Sequence, residues 1–83
     1  MYHVYVLQSL KTDRLYVGHT DNLVRRLEEH NTGRGGRYTR QNSPWVLVYS
    51  EPHPDRSSAM KRERHLKSPG GSLEKKKLAG ILK

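Results

Sequence analysis

The 83-residue sequence has no cysteine, half as many acidic as basic residues, and little apolar content. Without cysteine, neither a disulfide framework nor a thiolate metal site can support the fold, a composition suited to a reducing compartment. With only 33% hydrophobic residues in so short a chain, the core is expected to be small and the stability modest. No apolar stretch approaches the roughly 20 residues that span a bilayer. Met1 leads straight into Val- and Tyr-rich sequence, unlike the basic-then-apolar start of a signal peptide. The expectation is one soluble, cytoplasmic domain with no membrane partner. The five histidines are scattered, with no His-Glu-x-x-His motif, so no zinc site is expected. Gly33-Arg34-Gly35-Gly36 lacks the strand and the Lys-Ser or Lys-Thr of a Walker loop. No small-molecule cofactor is expected.

The charge balance is more informative. Sixteen Lys and Arg against eight Asp and Glu give a net charge of +8. Residues 1–52 hold seven basic and five acidic groups (+2), whereas residues 53–83 hold nine and three (+6). A small basic domain with a one-sided excess most often meets a polyanion, nucleic acid first. The basic stretches lack the interleaved aromatic face of a membrane-surface helix. The plainer alternative is that the charge serves solubility alone.

Local patterns predict a β-β-α-β-α-α order. Tyr2 to Ser9 reads as a strand with both faces partly covered. Lys11-Thr12-Asp13 is turn chemistry, and Arg14 to His19 returns as a second strand, making an antiparallel hairpin. Thr20 or Asp21 can cap a helix with Leu23 and Leu27, joined by Val24, on its apolar side, and Gly33 is a natural stop. Gly33 to Ser43, with Arg34, Arg37 and Arg40 and no acid, is expected to be a mobile basic loop. Trp45 to Tyr49 is a third strand, closed by Pro52 and Pro54. Asp55 or Ser57 can cap a helix to about Lys67, with Ala59, Met60, Glu63 and Leu66 at spacings of three and four. Ser68-Pro69-Gly70-Gly71 breaks it. A last basic helix spans about 72–82, capped by Ser72, with contacts from Leu78, Ile81 and Leu82 and the Lys75-Lys76-Lys77 run as a solvated face. Three strands flanked by helices make a small, mainly antiparallel α+β domain covering residues 1–83.

Four polar groups able to handle a phosphate fall within the first thirty residues. Tyr5 and Tyr16 lie on the two hairpin strands, where a cross-strand aromatic pair would also be simply stabilising. Arg26 and His30 share one helix face four residues apart; the plainer alternative is a surface pair, in a run where Arg25 could also pair with Glu29, and a histidine favoured by the helix dipole. A guanidinium can give a phosphate two parallel N–H bonds. An imidazole can carry a proton. Glu63 by itself fits an i,i+4 pair with Lys67.

Together these residues resemble the GIY-YIG nuclease superfamily. Val4-Tyr5-Val6 stands in place of Gly-Ile-Tyr, and Tyr16-Val17-Gly18 closely matches Tyr-Ile-Gly. Arg26 with His30 fits the family's mark on the first helix, and Glu63 fits its metal-binding glutamate. The match covers about residues 2–67 and looks like the stand-alone, single-domain bacterial members. Two departures stand out: Val4 replaces a frequent Gly, and no Asn follows Asn42.

The resemblance implies a divalent-metal-dependent endonuclease acting on DNA phosphodiesters, with one Mg²⁺ or Mn²⁺ held by Glu63. Mg²⁺ keeps several waters, so one carboxylate plus substrate phosphate is an adequate site. Tyr5 would take or relay the proton of the attacking water, and Tyr16 would hold the phosphate or a water. Arg26 would grip the phosphate, and His30 would act as proton carrier or second phosphate donor. His19, next to Gly18, either touches the site or is a polar strand end. Outside the chemistry, Arg34, Arg37 and Arg40 can track phosphates, and Tyr38 can stack on an unpaired base. The missing Asn keeps open a second reading, a nucleic-acid-binding module with little catalysis. A third reading is a basic domain that docks on an acidic protein.

Overall fold

The structure is a computed structural model that describes residues 1–34 and 36–80. Strand β1 (Tyr2–Ser9) is central, with β2 (Leu15–Thr20) antiparallel on one side and β3 (Trp45–His53) antiparallel on the other. Four consecutive β1 residues, Val4, Tyr5, Val6 and Leu7, are buried, as a strand covered on both faces requires. Alternation sends Val4 and Val6 to one face and Tyr5 and Leu7 to the other.

Each face has its own core. On the first, Val4, Val6 and Val17 pack with Ala59 and Leu66 of helix α3 (Arg56–Lys67). On the second, Tyr5, Leu7 and Trp45 pack with Tyr16 and with Leu23 and Leu27 of helix α1 (Leu23–Asn31). Val24, expected beside them, faces solvent instead, since it lies about 100° round the helix from Leu23. Asp55 caps α3 by accepting from the Ser58 N–H, as expected. Asn22, not Thr20 or Asp21, caps α1, accepting from the Arg25 N–H. Thr20 is still paired with His3 in the sheet, and its hydroxyl accepts from the Asn22 N–H one step before the cap. Gly33, at φ +86°, follows the end of α1.

Two segments differ from the sequence expectation. The supposed loop Gly33 to Ser43 contains a short helix, α2 (Arg37–Gln41), pinned from outside itself. Thr39 is buried, and its carbonyl accepts from the Trp45 indole N–H at 2.7 Å. Asn31 completes the anchor: its side chain accepts from the Trp45 N–H and donates to the Trp45 carbonyl. Strand β3 runs past Tyr49 and through Pro52, which an edge strand tolerates because one side of its backbone has no partner to lose.

After α3, a 3₁₀ turn (Pro69–Gly71) leads into helix α4 (Ser72–Leu78). The expected helix to residue 82 is too long, because Ala79 and Gly80 turn away with Gly80 at φ +76°. Ser72 is its first residue and supplies no cap. Leu78 packs on the α3-side core, and Ile81 and Leu82 lie outside the described residues. Arg62 ties α4 down, bonding Glu51 on β3 and Glu74 on α4 at once. No helix among the described residues is long and apolar enough to cross a membrane.

Candidate active site

The register of the hairpin sets the first half of the site. Tyr5 pairs with Gly18 and Leu7 with Tyr16, so both tyrosines stand on the α1 face. The Tyr5 ring lies across Gly18, which carries its hydroxyl from the central strand out over the edge strand. Helix α1 then brings His30 down onto the pair. Nε2 of His30 is 3.0 Å from the Tyr5 hydroxyl oxygen, and its ring lies edge-on to Tyr16 with centroids 4.9 Å apart. Tyr5 is 2% exposed and His30 fully buried.

That burial governs both groups. It pushes the Tyr5 hydroxyl up to about 12, against a smaller opposing pull from the neighbouring Arg26 guanidinium. It pulls His30 down to about 4, with the positive charge of Arg26 adding to the effect. Both are therefore neutral at pH 7. Nδ1 of His30 is buried and has no hydrogen-bond partner among the described residues. Arg26 remains partly open and pairs with Glu29 at 3.2 Å.

Glu63 belongs to the other face of the sheet. His19, adjacent in sequence to Gly18, points the opposite way and meets Glu63 with Nδ1 2.6 Å from a carboxylate oxygen. Lys67, one helical turn on, donates to the second oxygen at 2.7 Å. Partial burial works against ionisation of Glu63, but these two hydrogen bonds outweigh it and hold the carboxyl below its usual value. The two halves meet around the outer edge of β2. The Lys67 ammonium lies 5.7 Å from the centre of the Tyr16 ring, and the Glu63 charge is felt at the Tyr5 hydroxyl.

The sequence-derived residues thus fall into three groups. Tyr5, Tyr16, Arg26 and His30 gather on one face. Glu63 and His19 stand together across the β2 edge. Of the nucleic-acid set, Tyr38 is near the site, its ring inclined 28° to that of Tyr16 with centroids 6.4 Å apart. Arg34, Arg37 and Arg40 are all exposed, and among the described residues no ion pair engages them. The sequence presents Lys67 only as a pairing partner for Glu63; its reach over Tyr16 makes it part of the site.

A single ionised carboxylate, 20% exposed, suits one hard cation that keeps most of its waters and takes further oxygens from a phosphate. Among the described residues there is no cluster of three or more His, Cys, Asp or Glu that could form a fuller cage. The donor set fits Mg²⁺ or Mn²⁺, provided Lys67 yields one oxygen.

The GIY-YIG catalytic domain family model matches residues 1–77. A UPF0213 protein of Lactiplantibacillus plantarum is 46% identical over 81 residues, covering 94% of this chain and 78% of that protein. A UPF0213 protein of Natronomonas pharaonis is 45% identical over 67 residues, covering 81% and 78%. Among solved structures, the solution NMR structure of a UPF0213 protein from Bacillus halodurans superposes with a TM-score of 0.54 at 32% identity, covering 99% of this chain and 86% of that one.

Proposed function

The chain belongs to the GIY-YIG catalytic domain family, and from that premise we propose that it is an endonuclease hydrolysing DNA phosphodiester bonds with one divalent metal ion. The observation that carries this reading is the buried Tyr5–His30 contact beside Arg26, with Lys67, the partner of Glu63, 5.7 Å from the centre of the Tyr16 ring.

Glu63 would hold the ion, with Mg²⁺ or Mn²⁺ supplying charge stabilisation for the phosphate as it is attacked. Arg26 presents its guanidinium to a phosphate oxygen, leaving Glu29 to do so. Tyr5 takes a proton from the attacking water while passing its own to Nε2 of His30. In the resting protein this transfer is unfavourable, because burial and the Arg26 charge hold His30 near 4. A phosphate at Arg26 cancels that charge and raises the basicity of His30 at the moment a base is needed. Tyr16, edge-on to His30, keeps the imidazole in place and lines the path of the substrate.

A second reading has one observation in its favour. Both oxygens of Glu63 already have partners, His19 and Lys67. If the ion cannot displace Lys67, the domain binds nucleic acid without cutting it. Mg²⁺-dependent nicking of DNA decides between the two. The hydrolase reading expects Tyr5→Phe and Arg26→Ala each to lower the nicking rate at least about a hundredfold, the scale of a lost general base or charge-stabilising donor. Nicking that survives both substitutions rejects this assignment.

A further inference from the structure

Outside the catalytic pocket, a cleft of about 430 Å³ opens between the hairpin turn, α2 and α4, lined by Asp13, Arg14, Leu15, Tyr38, Lys75 and Lys76. Three features give it chemistry. First, its cations are free: among the described residues no ion pair engages Arg14, Lys75 or Lys76, whereas Arg25, Arg26, Arg62 and Lys67 all face acids. Two lysines of the run expected to be merely solvated therefore face a concavity across from Arg14. One acid, Asp13, stands at the hairpin turn against three positive charges.

Second, Tyr38 is 42% exposed although it packs beside Tyr16 and Trp45. It stands on α2, whose backbone is pinned through the Thr39 carbonyl to the Trp45 indole. Third, the cleft continues the site. Ring centres step from Tyr5 to Tyr16 at 6.4 Å and from Tyr16 to Tyr38 at 6.4 Å, from the buried hydroxyl out to the cleft.

We propose that this cleft seats an unpaired stretch of the nucleic-acid strand whose backbone is cut at the Tyr5–Arg26 site, with a base on Tyr38 and the flanking phosphates on Arg14, Lys75 and Lys76. The proposal rests on the phosphodiesterase reading for its direction but not for its test. A duplex buries the faces of its bases in its own stack, so it can use the cations but not the ring. An unpaired strand uses both, because every base offers a face to an aromatic ring whatever its identity. The phosphates contribute affinity without sequence preference.

The test is binding of a short labelled DNA strand to the full chain in metal-free buffer, by fluorescence anisotropy, beside the same sequence as a duplex. Tyr38→Ala is expected to weaken single-strand binding about 5- to 100-fold with the salt dependence unchanged, and to leave duplex binding nearly as it was. Tyr38→Trp is expected to keep single-strand affinity, which separates stacking from misfolding. The double substitution Lys75→Ala/Lys76→Ala is expected to lower the slope of log affinity against log salt by about 1.4, at about 0.7 for each phosphate no longer neutralised. Parent-like binding by both Tyr38→Ala and the double lysine variant, equal losses on strand and duplex for Tyr38→Ala, or no strand binding by the parent at low salt each overturn the proposal. Strand binding through this cleft without cleavage under any divalent ion would sink the hydrolase and leave the cleft. Cleavage untouched by these substitutions would do the reverse.

Discussion

The Tyr5 ring crosses Gly18 so closely that a methyl group there would come within 2.5 Å of the hydroxyl oxygen and 2.6 Å of the ring carbon bearing it. Gly18 is a strand residue without a positive φ, so the missing side chain, not the backbone, is what matters. Gly18→Ala is expected to cost about 1–3 kcal/mol, the scale of overpacking a tight core, and to push the hydroxyl off His30. Urea unfolding reads the first effect and the nicking rate the second. A variant as stable and as active as the parent would mean that Tyr5 does not lie where the structure places it.

The buried imidazole makes stability fall with acid. His30 binds its proton near 4 when folded, against about 6.5 when unfolded. The unfolded state therefore holds the extra proton in this window, and the contribution of neutral His30, full above about pH 6.5, is lost as pH falls towards 4. The expected loss is up to about 3 kcal/mol. Glu51, Glu63 and Glu74, whose folded pKa values are lowered from the usual 4.5, add their own loss only from about that pH downward, at the acid end of the window. Urea midpoints between pH 7 and 4.5 should slope for the parent and flatten for His30→Gln. Equal slopes would contradict the assignment.

Lys67 pairs with the carboxylate that the proposed metal ion would need. Lys67→Met removes the ammonium from the second oxygen of Glu63. Exposed to half-exposed pairs of this kind are worth about 0.5–1 kcal/mol, so Mn²⁺ should bind about two- to fivefold more tightly. Titration of free Mn²⁺ by electron paramagnetic resonance measures this without any turnover. Unchanged or weaker binding would remove Glu63–Lys67 competition from the account.

Much of the fold is legible because its signals are local. Tyr2 to Ser9 carries its own β pattern, and α3 runs from the Asp55 cap to Lys67, because cap, spacing and the following Pro-Gly-Gly all lie within or beside the segment. Helix α2 is not legible, since its anchor is a hydrogen bond from Trp45, beyond the helix itself. The length of β3 depends on its being an edge strand, which only the assembled sheet reveals. At the site, the hairpin register puts Tyr5, Gly18 and Tyr16 on one face by simple alternation. The same alternation turns His19 the other way, and with it Glu63. That the two halves still meet around β2, with Lys67 between them, depends on how α3 packs across the sheet, and no spacing in the sequence encodes it.

Whether these residues cut a phosphodiester bond is read from the cleavage rate of end-labelled single-stranded, duplex and branched DNA with Mg²⁺ or Mn²⁺, parent beside Glu63→Ala. The expected outcome is cleavage that requires the metal ion and vanishes in a Glu63→Ala protein of native circular dichroism. Cleavage that persists without Glu63, or a folded parent that cuts none of the three substrates with either ion, would contradict it.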